Sequence, residues 1–497
     1  MTQCFSEKLS VIIEKKQNLK KLKNYIGGEL IDPQSGNYLD LYDPSKGEQY
    51  AYAPDSDLSD VELAVDAADR AFTDWASSSV DDRSRIMTRI ADLIEQNLDK
   101  LAAAESLDNG KPLWLAKKVD IPRASSNFRF FAHAITQFAT SAHEMSDAIN
   151  YTLRQPLGVV GTISPWNLPL YLFTWKIAPA LAAGNCVIAK PSEVTPMSAY
   201  LLSEICIEAG LPKGVLNIIH GDGLKVGAEI SKHPKVKAIS FTGSTRVGAE
   251  IAKVAAPVFK KVSLEMGGKN PNIIFADCDY DKMLSTTLRS SFANQGQICL
   301  CGSRIFVERP IYDRFKNDFV AKTRAMKVGP PKEADSKLGA IVSKVHYEKI
   351  LSYIQLAKEE GGQILTGGEA VFPSGHENGW YISPTIIEGL AHDCRTNLEE
   401  IFGPVVTIMP FDTEAEVLEY ANCTDYGLAS TIWTSNISRA NRIAKEIHAG
   451  IVWVNTWLHR DLRTPFGGVK NSGVGREGGF EALRFFTEAK NICIHYG

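Results

Sequence analysis

Two short apolar runs decide the fold class of this chain: GVVGTIS at residues 158–164 and NCVIAK at residues 185–190. Each has the length of a buried strand, and each is followed at once by a proline, Pro165 and Pro191. Similar strand runs follow at residues 215–219 and 238–242, with helical patterns at residues 196–209 and 224–231. Buried strands that alternate with helices predict a parallel, doubly wound α/β sheet.

The same alternation extends in both directions along the chain. Upstream, the patterns predict a small hairpin at residues 25–31 and helices at residues 57–75, 81–105 and 122–143. Downstream of Gly267, strands are predicted at residues 272–275, 304–307, 405–410 and 450–454. The two strand series predict a nucleotide-binding domain and a catalytic domain with a cleft between them.

The composition is that of a large globular protein. The chain has 497 residues, enough for two or three domains, and is 44% hydrophobic and 23% charged. Its net charge of -4 and its pI of about 6.2 argue against a nucleic-acid partner. The nine cysteines are odd in number, and Cys299 and Cys301 have no second pair at zinc-ligand spacing. We therefore expect no metal, no disulfide framework and a reducing, cytoplasmic location.

Neither a membrane span nor a targeting signal is expected. The apolar stretch at residues 168–189 is interrupted by Lys176, Pro179 and Gly184, so it predicts a buried segment. Residues 1–24 mix glutamate and lysine without a continuous apolar core, which favours a basic, solvated arm over a signal peptide.

The segment FANQGQIC, residues 292–299, carries the strongest chemical signal. A helical pattern ends here, and Gly296 permits a sharp turn before the next strand. A cysteine on such a turn can face a cleft, where backbone dipoles stabilise its thiolate. An isolated cysteine is more often a small buried apolar residue, so the interpretation of Cys299 as a nucleophile depends on its neighbouring motifs.

Two further motifs supply the partners that a nucleophile needs. In LEMGGKNP, residues 264–271, Glu265 lies in an apolar setting that suits a general base with a raised pKa. In SPWNLP, residues 164–169, Asn167 can donate an amide N–H to a developing oxyanion. Taken singly, Glu265 could be a surface residue at a strand end and Asn167 a turn former.

Two other segments have the character of a nucleotide site. FTGSTRVG, residues 241–248, follows a strand and opens a helix, where backbone N–H groups can meet a phosphate. KPSE, residues 190–193, offers a lysine and a glutamate for ribose hydroxyls, and Glu193 would repel a 2′-phosphate, which favours NAD over NADP. Taken singly, the first is an ordinary capped helix and the second a solvated charge pair.

Together these motifs resemble the aldehyde dehydrogenase superfamily from about Lys23 to the end of the chain. The matching segments are ISPWNLP (163–169), KPSE (190–193), FTGSTRVG (241–248), LEMGGKNP (264–271), FANQGQIC (292–299), EIFGP (400–404) and PFGGVKNSGVGREGG (465–479). Their order along the chain is far more specific than any one of them.

The resemblance implies an α/β architecture of three parts and a set of residue roles. It implies a Rossmann-like NAD-binding domain at residues 1–136 and 155–264, an α/β catalytic domain at 265–477, and a small β oligomerisation flap at 137–154 and 478–497, hence a homodimer or homotetramer. The catalytic roles fall to Cys299, Glu265, Asn167 and Lys176. The implied NAD contacts are Ile163, Ser164, Trp166, Lys190, Ser192, Glu193, Gly223, Gly227, Phe241, Gly243, Ser244, Val247, Glu265, Glu400 and Phe402.

The reaction implied is oxidation of an aldehyde to a carboxylic acid. The Cys299 thiolate would attack the aldehyde, hydride would leave to NAD, and water activated by Glu265 would hydrolyse the thioester. Family members that pass the acyl group to coenzyme A typically lack this glutamate, so hydrolysis is expected. A non-catalytic relative would lack Cys299 or Glu265, and both are present.

The substrate pocket implied by the family pattern contains two arginines. Its positions are Arg123, Leu168, Trp175, Ala293, Ile298, Leu300 and Arg460. A buried arginine needs a partner, and a substrate carboxylate supplies one. The alternative is an internal salt bridge, for instance to Asp120 or Asp461.

Within the superfamily, the chain looks most like the 2-aminomuconate and 2-hydroxymuconate semialdehyde dehydrogenases. The segments SFANQGQICLCGSRIFV (291–307) and FRFFA (128–132) add to that likeness. A carboxylate-bearing semialdehyde is therefore the expected substrate. A betaine or amino-aldehyde dehydrogenase would favour aromatic faces and acidic residues over two arginines, and a broad-range aliphatic or retinal enzyme is a further alternative.

Overall fold

A computed structural model describes residues 19–497 of the chain. The four strands predicted around GVVGTIS lie side by side in one eight-stranded sheet, and their mutual pairing is parallel. From edge to edge its strands are Gly473–Val474, Lys261–Glu265, Val236–Thr242, Val159–Ile163, Cys186–Lys190, Leu216–Ile218, Asn24–Ile26 and Glu29–Ile31. The predicted hairpin at residues 25–31 forms the antiparallel edge. The first eighteen residues, including the start of the predicted basic arm, lie outside the described part.

The second strand series forms a seven-stranded sheet. Its strands in spatial order are Gln363–Thr366, Thr385–Glu388, Val405–Phe411, Arg304–Glu308, Pro271–Ile274, Ala429–Trp433 and Ile451–Val454. All pairs are parallel except the first. The longer helices of this half are Tyr280–Phe292, Arg309–Arg324, Lys344–Glu359, Glu414–Asn422 and Ile437–Glu446. The α/β class predicted from the alternation is confirmed.

Helices cover the eight-stranded sheet, and the most deeply buried one is Pro169–Ala182. All fourteen of its residues are buried. The sequence predicted only a buried segment here, because a helix that is apolar all round shows no amphipathic period. The other helices of this half are Leu58–Ser77, Val80–Gln96, Leu98–Asn109, Ile121–Ala134, Met197–Ala209, Ala228–Lys232 and Thr245–Ala255.

Two predicted helices are shorter than their patterns. The pattern at residues 81–105 divides at Asn97, whose side chain donates to the Leu93 carbonyl at 2.9 Å and ends the first helix. The helix predicted over residues 122–143 stops at Ala134, and a short strand, Ala142–Glu144, follows. That strand pairs with Ala148–Pro156, which also pairs with Thr487–His495. Pairing within this three-stranded sheet therefore overrides the local helical pattern.

The carboxyl ends of the central parallel strands are level with one another. Ile163 pairs with Lys190 and with Phe241, and Thr242 pairs with Glu265. Loops that leave these strands must therefore meet at one edge of the sheet, which is where ligands bind in open α/β folds. From Glu265 the chain crosses directly to Pro271, the first residue of a central strand in the seven-stranded sheet. Within residues 19–497, no helix combines the length and hydropathy needed to cross a bilayer.

Candidate active site

Cys299 follows a turn built from three residues with left-handed backbone. The helix Tyr280–Phe292 ends, and Asn294, Gln295 and Gly296 then have φ values of 52°, 57° and 70°. A side chain at Gly296 would place its Cβ 2.1 Å from the Gly403 carbonyl oxygen, so only glycine fits. The tight turn therefore fixes where the cysteine lies. We call residues 293–299 the cysteine turn.

Two asparagine side chains hold the cysteine turn. Asn270 donates to the carbonyl oxygens of Cys299 at 2.7 Å and of Cys301 at 2.9 Å. Asn167 donates from Nδ2 to the Gln297 carbonyl at 3.0 Å, which brings this predicted oxyanion donor beside the predicted nucleophile. An amide nitrogen carries two hydrogens, so one remains for a substrate oxygen.

The surroundings of the Cys299 side chain favour its neutral thiol form. Burial raises its pKa most, and the neighbouring Glu400, Glu265 and Cys301 raise it further. Arg460 is the group that lowers it, which also places that guanidinium within electrostatic reach of the sulfur. A base must therefore accept the thiol proton before attack.

Glu265, the predicted general base, is one of two glutamates that act electrostatically on Cys299. It is 3% exposed, and burial followed by repulsion from Glu477 raises its pKa well above the usual value. Within residues 19–497 neither carboxylate oxygen has a well-formed hydrogen bond, and the Gly468 backbone N–H lowers the pKa only in part. A carboxyl group with a raised pKa holds a proton more readily and can exchange it with a thiol or with water.

Lys176 lies in a buried network with Ser240 and Glu477. Its ammonium is 2.6 Å from Glu477 Oε1 and 3.2 Å from Ser240 Oγ, and Ser240 also donates to Glu477 at 3.0 Å. Lys176 lowers the pKa of Glu265 and Glu477 raises it, so the pair is coupled to the base. Nothing in the sequence pattern singles out Glu477, although it lies within the family-like segment at residues 465–479.

The loop that carries Asn167 rests on a second buried network. The Asn167 carbonyl accepts from Lys111 at 3.2 Å and from Asn294 at 2.9 Å. Lys111 is fully buried, 2.9 Å from Asp120 and 3.7 Å from Glu105, and Glu105 accepts the Leu170 backbone N–H at 3.1 Å. These residues were also missed, because a lysine and two acids in sequence are indistinguishable from a solvated charge run.

The predicted cofactor residues on the first sheet gather at the level strand ends. Ile163 and Lys190 end neighbouring strands, Ser164 and Ser192 follow them, and Lys190 is 2.7 Å from Glu193. Ser164 is buried, and its hydroxyl has no hydrogen-bond partner among the described residues. Gly227 lies against Ile163 and Lys190, and Gly223 begins the same π-helical turn.

A helix N-terminus faces the same edge. Phe241 belongs to the strand, Gly243 leaves it, and Ser244 caps the helix Thr245–Ala255 by accepting from the Val247 N–H at 3.4 Å. The first turn contains no acidic residue. The free N–H groups and an unpaired buried hydroxyl fit the phosphates and sugars of a dinucleotide.

Glu400 and Phe402 reach this region from the second half of the chain. Glu400 accepts the Gly268 N–H at 2.8 Å, and a Cβ at Gly267 would collide with its carboxylate. Phe402 has a φ of 63°, and its ring meets the Trp166 ring edge-on at 5.3 Å. His346, which the sequence analysis missed, bonds the Phe402 carbonyl at 2.7 Å and packs on Trp166.

The two predicted substrate arginines flank one tyrosine. Arg460 donates to the Tyr171 hydroxyl at 3.0 Å, and Arg123 lies over the Tyr171 ring at 5.6 Å. Within the described chain, neither guanidinium makes an ion pair with a carboxylate. Asp120 pairs with Lys111 and Asp461 with Arg463, so the alternative of an internal salt bridge is not found.

Apolar residues complete the predicted pocket. Trp175 and Phe466 lie 5.2 Å and 4.0 Å from the Arg460 guanidinium. Ile298 and Leu300 belong to one buried cluster, against which Ala293 and Cys299 pack. Leu168 belongs to a separate small cluster with Tyr171 and Leu172. In the described residues, no group of three or more His, Cys, Asp or Glu side chains has the arrangement of a metal site.

Comparison with known proteins identifies the family. The chain is 49% identical over 484 residues to the 2-aminomuconic semialdehyde dehydrogenase of Bos taurus, covering 96% of this chain and 99% of the relative. It is 47% identical over 484 residues to the 2-hydroxymuconic semialdehyde dehydrogenase of Pseudomonas sp. strain CF600, with 96% and 100% covered.

Solved structures agree. A putative aldehyde dehydrogenase from Burkholderia cenocepacia superposes with a TM-score of 0.94 at 41% identity, covering 95% of this chain and 97% of that one. An NAD+ complex of the Bacillus cereus aldehyde dehydrogenase does so with a TM-score of 0.94 at 37% identity, covering 96% and 97%. The aldehyde dehydrogenase family profile matches residues 30–492, and the chain belongs to the aldehyde dehydrogenase family.

Proposed function

We propose that this aldehyde dehydrogenase oxidises a semialdehyde that carries a carboxylate, such as 2-aminomuconate or 2-hydroxymuconate 6-semialdehyde. The observation that carries the proposal is the pair Arg123 and Arg460, two guanidiniums that both contact Tyr171 and have no ion-pair carboxylate within residues 19–497; Arg460 also acts electrostatically on Cys299. Relatives named for muconic semialdehydes, at 47–49% identity, support the same substrate class. Both arginines are half-buried, and a cation held partly out of water gains from an opposite charge, which an acidic substrate supplies.

NAD is the cofactor of this oxidation, and it accepts the hydride that leaves the aldehyde carbon. Lys190 and Glu193 would hold the ribose, and the N-terminus at Ser244 would hold the phosphates. Glu400 and Phe402, whose ring packs against Trp166, would position the reactive end of NAD. The remaining predicted contacts lie at or beside the same strand ends, where they could also contact the cofactor.

Cys299, Asn167 and Glu265 divide the chemistry among them. The Cys299 thiol gives its proton to Glu265, which passes it to water, and the thiolate attacks the aldehyde carbon. The second Asn167 amide hydrogen and the Cys299 backbone N–H stabilise the resulting oxyanion. After hydride loss the acyl group is a thioester on Cys299. Glu265 takes a proton from water, which attacks the thioester and releases the acid. Lys176 and Glu477, whose charges shift the pKa of Glu265 in opposite directions, would then set how readily Glu265 releases this proton.

The experiment that tests the substrate follows NADH absorbance with three aldehydes. We expect 2-hydroxymuconate 6-semialdehyde to have a much lower KM than hexanal or betaine aldehyde. Arg123→Ala and Arg460→Ala should each raise the KM for the acid by tenfold or more, and leave hexanal unchanged. Arg463→Ala is the matched control, since Arg463 is exposed and already pairs with Asp461. An unchanged KM for the acid in both arginine variants would refute the proposal.

The betaine aldehyde alternative has one argument in its favour, since solved betaine aldehyde dehydrogenases are 36% identical to this chain. A quaternary ammonium needs aromatic faces without cations, whereas Arg460 itself lies over Trp175 and Phe466. The arginines thus disfavour a cationic substrate. The screen above separates the two, and preferential turnover of betaine aldehyde would decide for the alternative.

We also propose a cytoplasmic homo-oligomer with the three-part division given by the sequence. The supporting feature is the three-stranded flap of Ala142–Glu144, Ala148–Pro156 and Thr487–His495. Residues paired across its strands share a face, and one face carries Ile149, Tyr151, Leu153, Ile492 and Ile494, with Lys490 opposite Leu153. Leu153 and Ile494 are 41% and 50% exposed, which suits a surface that another subunit covers.

A further inference from the structure

Tyr171 lies where the two substrate arginines converge. It belongs to the helix Pro169–Ala182, four residues after Asn167, and is 6% exposed. Leu168, Tyr171 and Leu172 are spaced on one helical face and form their own small cluster, apart from the main core. Tyr171 therefore belongs to the pocket side of the helix that carries the oxyanion loop.

The hydroxyl of Tyr171 has a hydrogen that no group within residues 19–497 accepts. Arginine has only donors, so the 3.0 Å contact with Arg460 makes the tyrosine oxygen the acceptor. A phenol also has one O–H of its own. Among residues 19–497 no carbonyl or carboxylate accepts it, and Arg123, the other neighbour, is again a donor. The group thus presents a donor between two guanidiniums.

We propose that Tyr171 donates this hydrogen to the substrate's remote carboxylate, as the third donor beside Arg123 and Arg460. This inference rests on the proposed function, since it needs an acidic substrate. An ionised carboxylate has two oxygens and about four lone-pair sites, so it can accept from all three groups at once. Tyr171 also holds Arg460 through its oxygen, so a single phenol both steadies one cation and binds the anion.

The loop that carries Arg460 is anchored by a hydrogen bond to the residue after Cys299, which fixes its position relative to the nucleophile. Trp457 donates its indole N–H to the Leu300 carbonyl at 2.8 Å, one residue from the nucleophile. Trp453 donates to the His459 carbonyl at 3.1 Å, next to Arg460. Because Tyr171 likewise shares its helix and loop with Asn167, the carboxylate site and the carbonyl site are held at a fixed separation.

The test is Tyr171→Phe, which removes the hydroxyl and keeps the ring beneath Arg123. We expect the KM for 2-hydroxymuconate 6-semialdehyde to rise about tenfold, as for a lost hydrogen bond to a charged group, while kcat changes little. The KM for hexanal should stay the same. Tyr280→Phe is the matched control, because its hydroxyl bonds Asp318 at 2.7 Å far along the chain.

Direct contact and support of Arg460 are separated by a second comparison. In an Arg460→Ala background, Tyr171→Phe should raise the KM for the acid again, since its own hydrogen bond is lost. No further rise would mean that Tyr171 acts only through Arg460 and would overturn the inference. An equal rise for hexanal would also overturn it, because the cause would then be packing.

Failure of the inference is distinguishable from failure of the proposed function. If the arginine variants raise the KM for the acidic substrate and Tyr171→Phe does not, the substrate class stands and the role of Tyr171 is wrong. If the wild-type enzyme shows no preference for the acid over hexanal, both are wrong.

Discussion

At the scale of single residues, reactivity depends on the environment of each group more than on its type. Cys299 and Glu265 are both buried, and burial raises the pKa of each. The resting state is therefore a thiol beside a carboxyl group that can bind a proton, with Arg460 as the nearby stabilising cation. Activity should rise with pH as these two groups ionise.

Glu265→Gln tests the division of labour between attack and hydrolysis. The amide keeps the shape of the side chain and cannot take a proton from water, so the thioester should persist. We expect a burst of NADH of about one equivalent per active site, followed by a steady-state rate at least a hundredfold lower. Stopped-flow absorbance measures both phases. A variant with wild-type steady-state turnover would contradict the role of Glu265.

His220→Leu tests a buried histidine beside the cofactor lysine. Burial, helped by Lys190, lowers the pKa of His220 to about 3, and neither ring nitrogen has a hydrogen-bond partner in the described chain. An unfolded histidine titrates near 6.5, so between pH 6.5 and 3 the unfolded state binds more protons. The stability of the wild type should therefore decrease as the pH is lowered through this range, by up to about 1.4 kcal/mol per pH unit from this group alone.

The variant lacks that contribution, so its stability should depend less on pH between 4 and 6. Urea unfolding followed by tryptophan fluorescence at several pH values measures the difference. Parallel pH dependences for wild type and variant would show that His220 is accessible to protons in the folded state.

At the scale of elements, the site is a meeting of loops whose backbones are fixed by their neighbours. The cysteine turn leaves no room beside Gly296, and the oxyanion loop is held through the Asn167 carbonyl by Lys111 and Asn294. Each loop is thus braced by atoms from a distant part of the chain. Substitutions at the braces should act on catalysis without touching a reacting group.

Gly296→Ala tests the first brace. The new Cβ would lie 2.1 Å from the Gly403 carbonyl, so the cysteine turn must move, and we expect kcat to fall at least a hundredfold. Gly361→Ala is the matched control, since Gly361 also has a positive φ, 89°, but nothing within 4 Å of the added atom. The control should show only a modest drop in melting temperature. Equal activity losses in both variants would contradict the steric explanation.

Lys111→Met tests the second brace. It leaves Glu105 and Asp120 buried without their cation, and we expect a loss of about 3–5 kcal/mol in unfolding free energy. Lys117→Met removes a partner from an exposed pair with Asp99 and should cost less than about 1 kcal/mol. Chemical denaturation measures both. A similar small effect at the two positions would mean that the buried carboxyl groups are already neutral.

At the scale of the whole molecule, two sheets are joined through the short crossing from Glu265 to Pro271. The strand Gly473–Val474 returns from near the end of the chain to pair with Lys261–Glu265, and the next residues supply Glu477 to the Lys176 network. The base is therefore enclosed by chain segments more than two hundred positions apart. A truncation before Gly473 would remove Glu477 from the Lys176 network and also the edge strand Gly473–Val474.

Ile494→Lys tests the proposed oligomer. A new charge at Ile494, on the flap face that carries the isoleucines, should weaken the association of subunits. Each subunit should stay folded, because Ile494 is 50% exposed. Light scattering after size-exclusion chromatography should show a smaller mass than for wild type at micromolar concentration. Ile437→Lys, at a position 73% exposed on another helix, is the control and should keep the wild-type mass.

The sequence by itself determined the α/β class, the parallel strands and the family. The strands around residues 158–190 were predicted to within a residue or two, because a fully buried parallel strand is a local apolar run with sharp ends. The motifs likewise named Cys299, Glu265, Asn167 and Lys176 as candidates. Such signals are local in the chain, so they need no knowledge of packing.

Only the tertiary structure decided which groups meet. Helix Pro169–Ala182 has no amphipathic period. The helix end at Asn97 depends on a side-chain cap, and the end at Ala134 depends on the flap, in which the neighbouring strand Ala148–Pro156 pairs with the distant Thr487–His495. Glu477 and Lys111, together with the contact of Tyr171 with Arg460, join residues up to 301 positions apart. Charges and hydrogen bonds act between groups that are close in space, and the sequence alone does not show which groups are close.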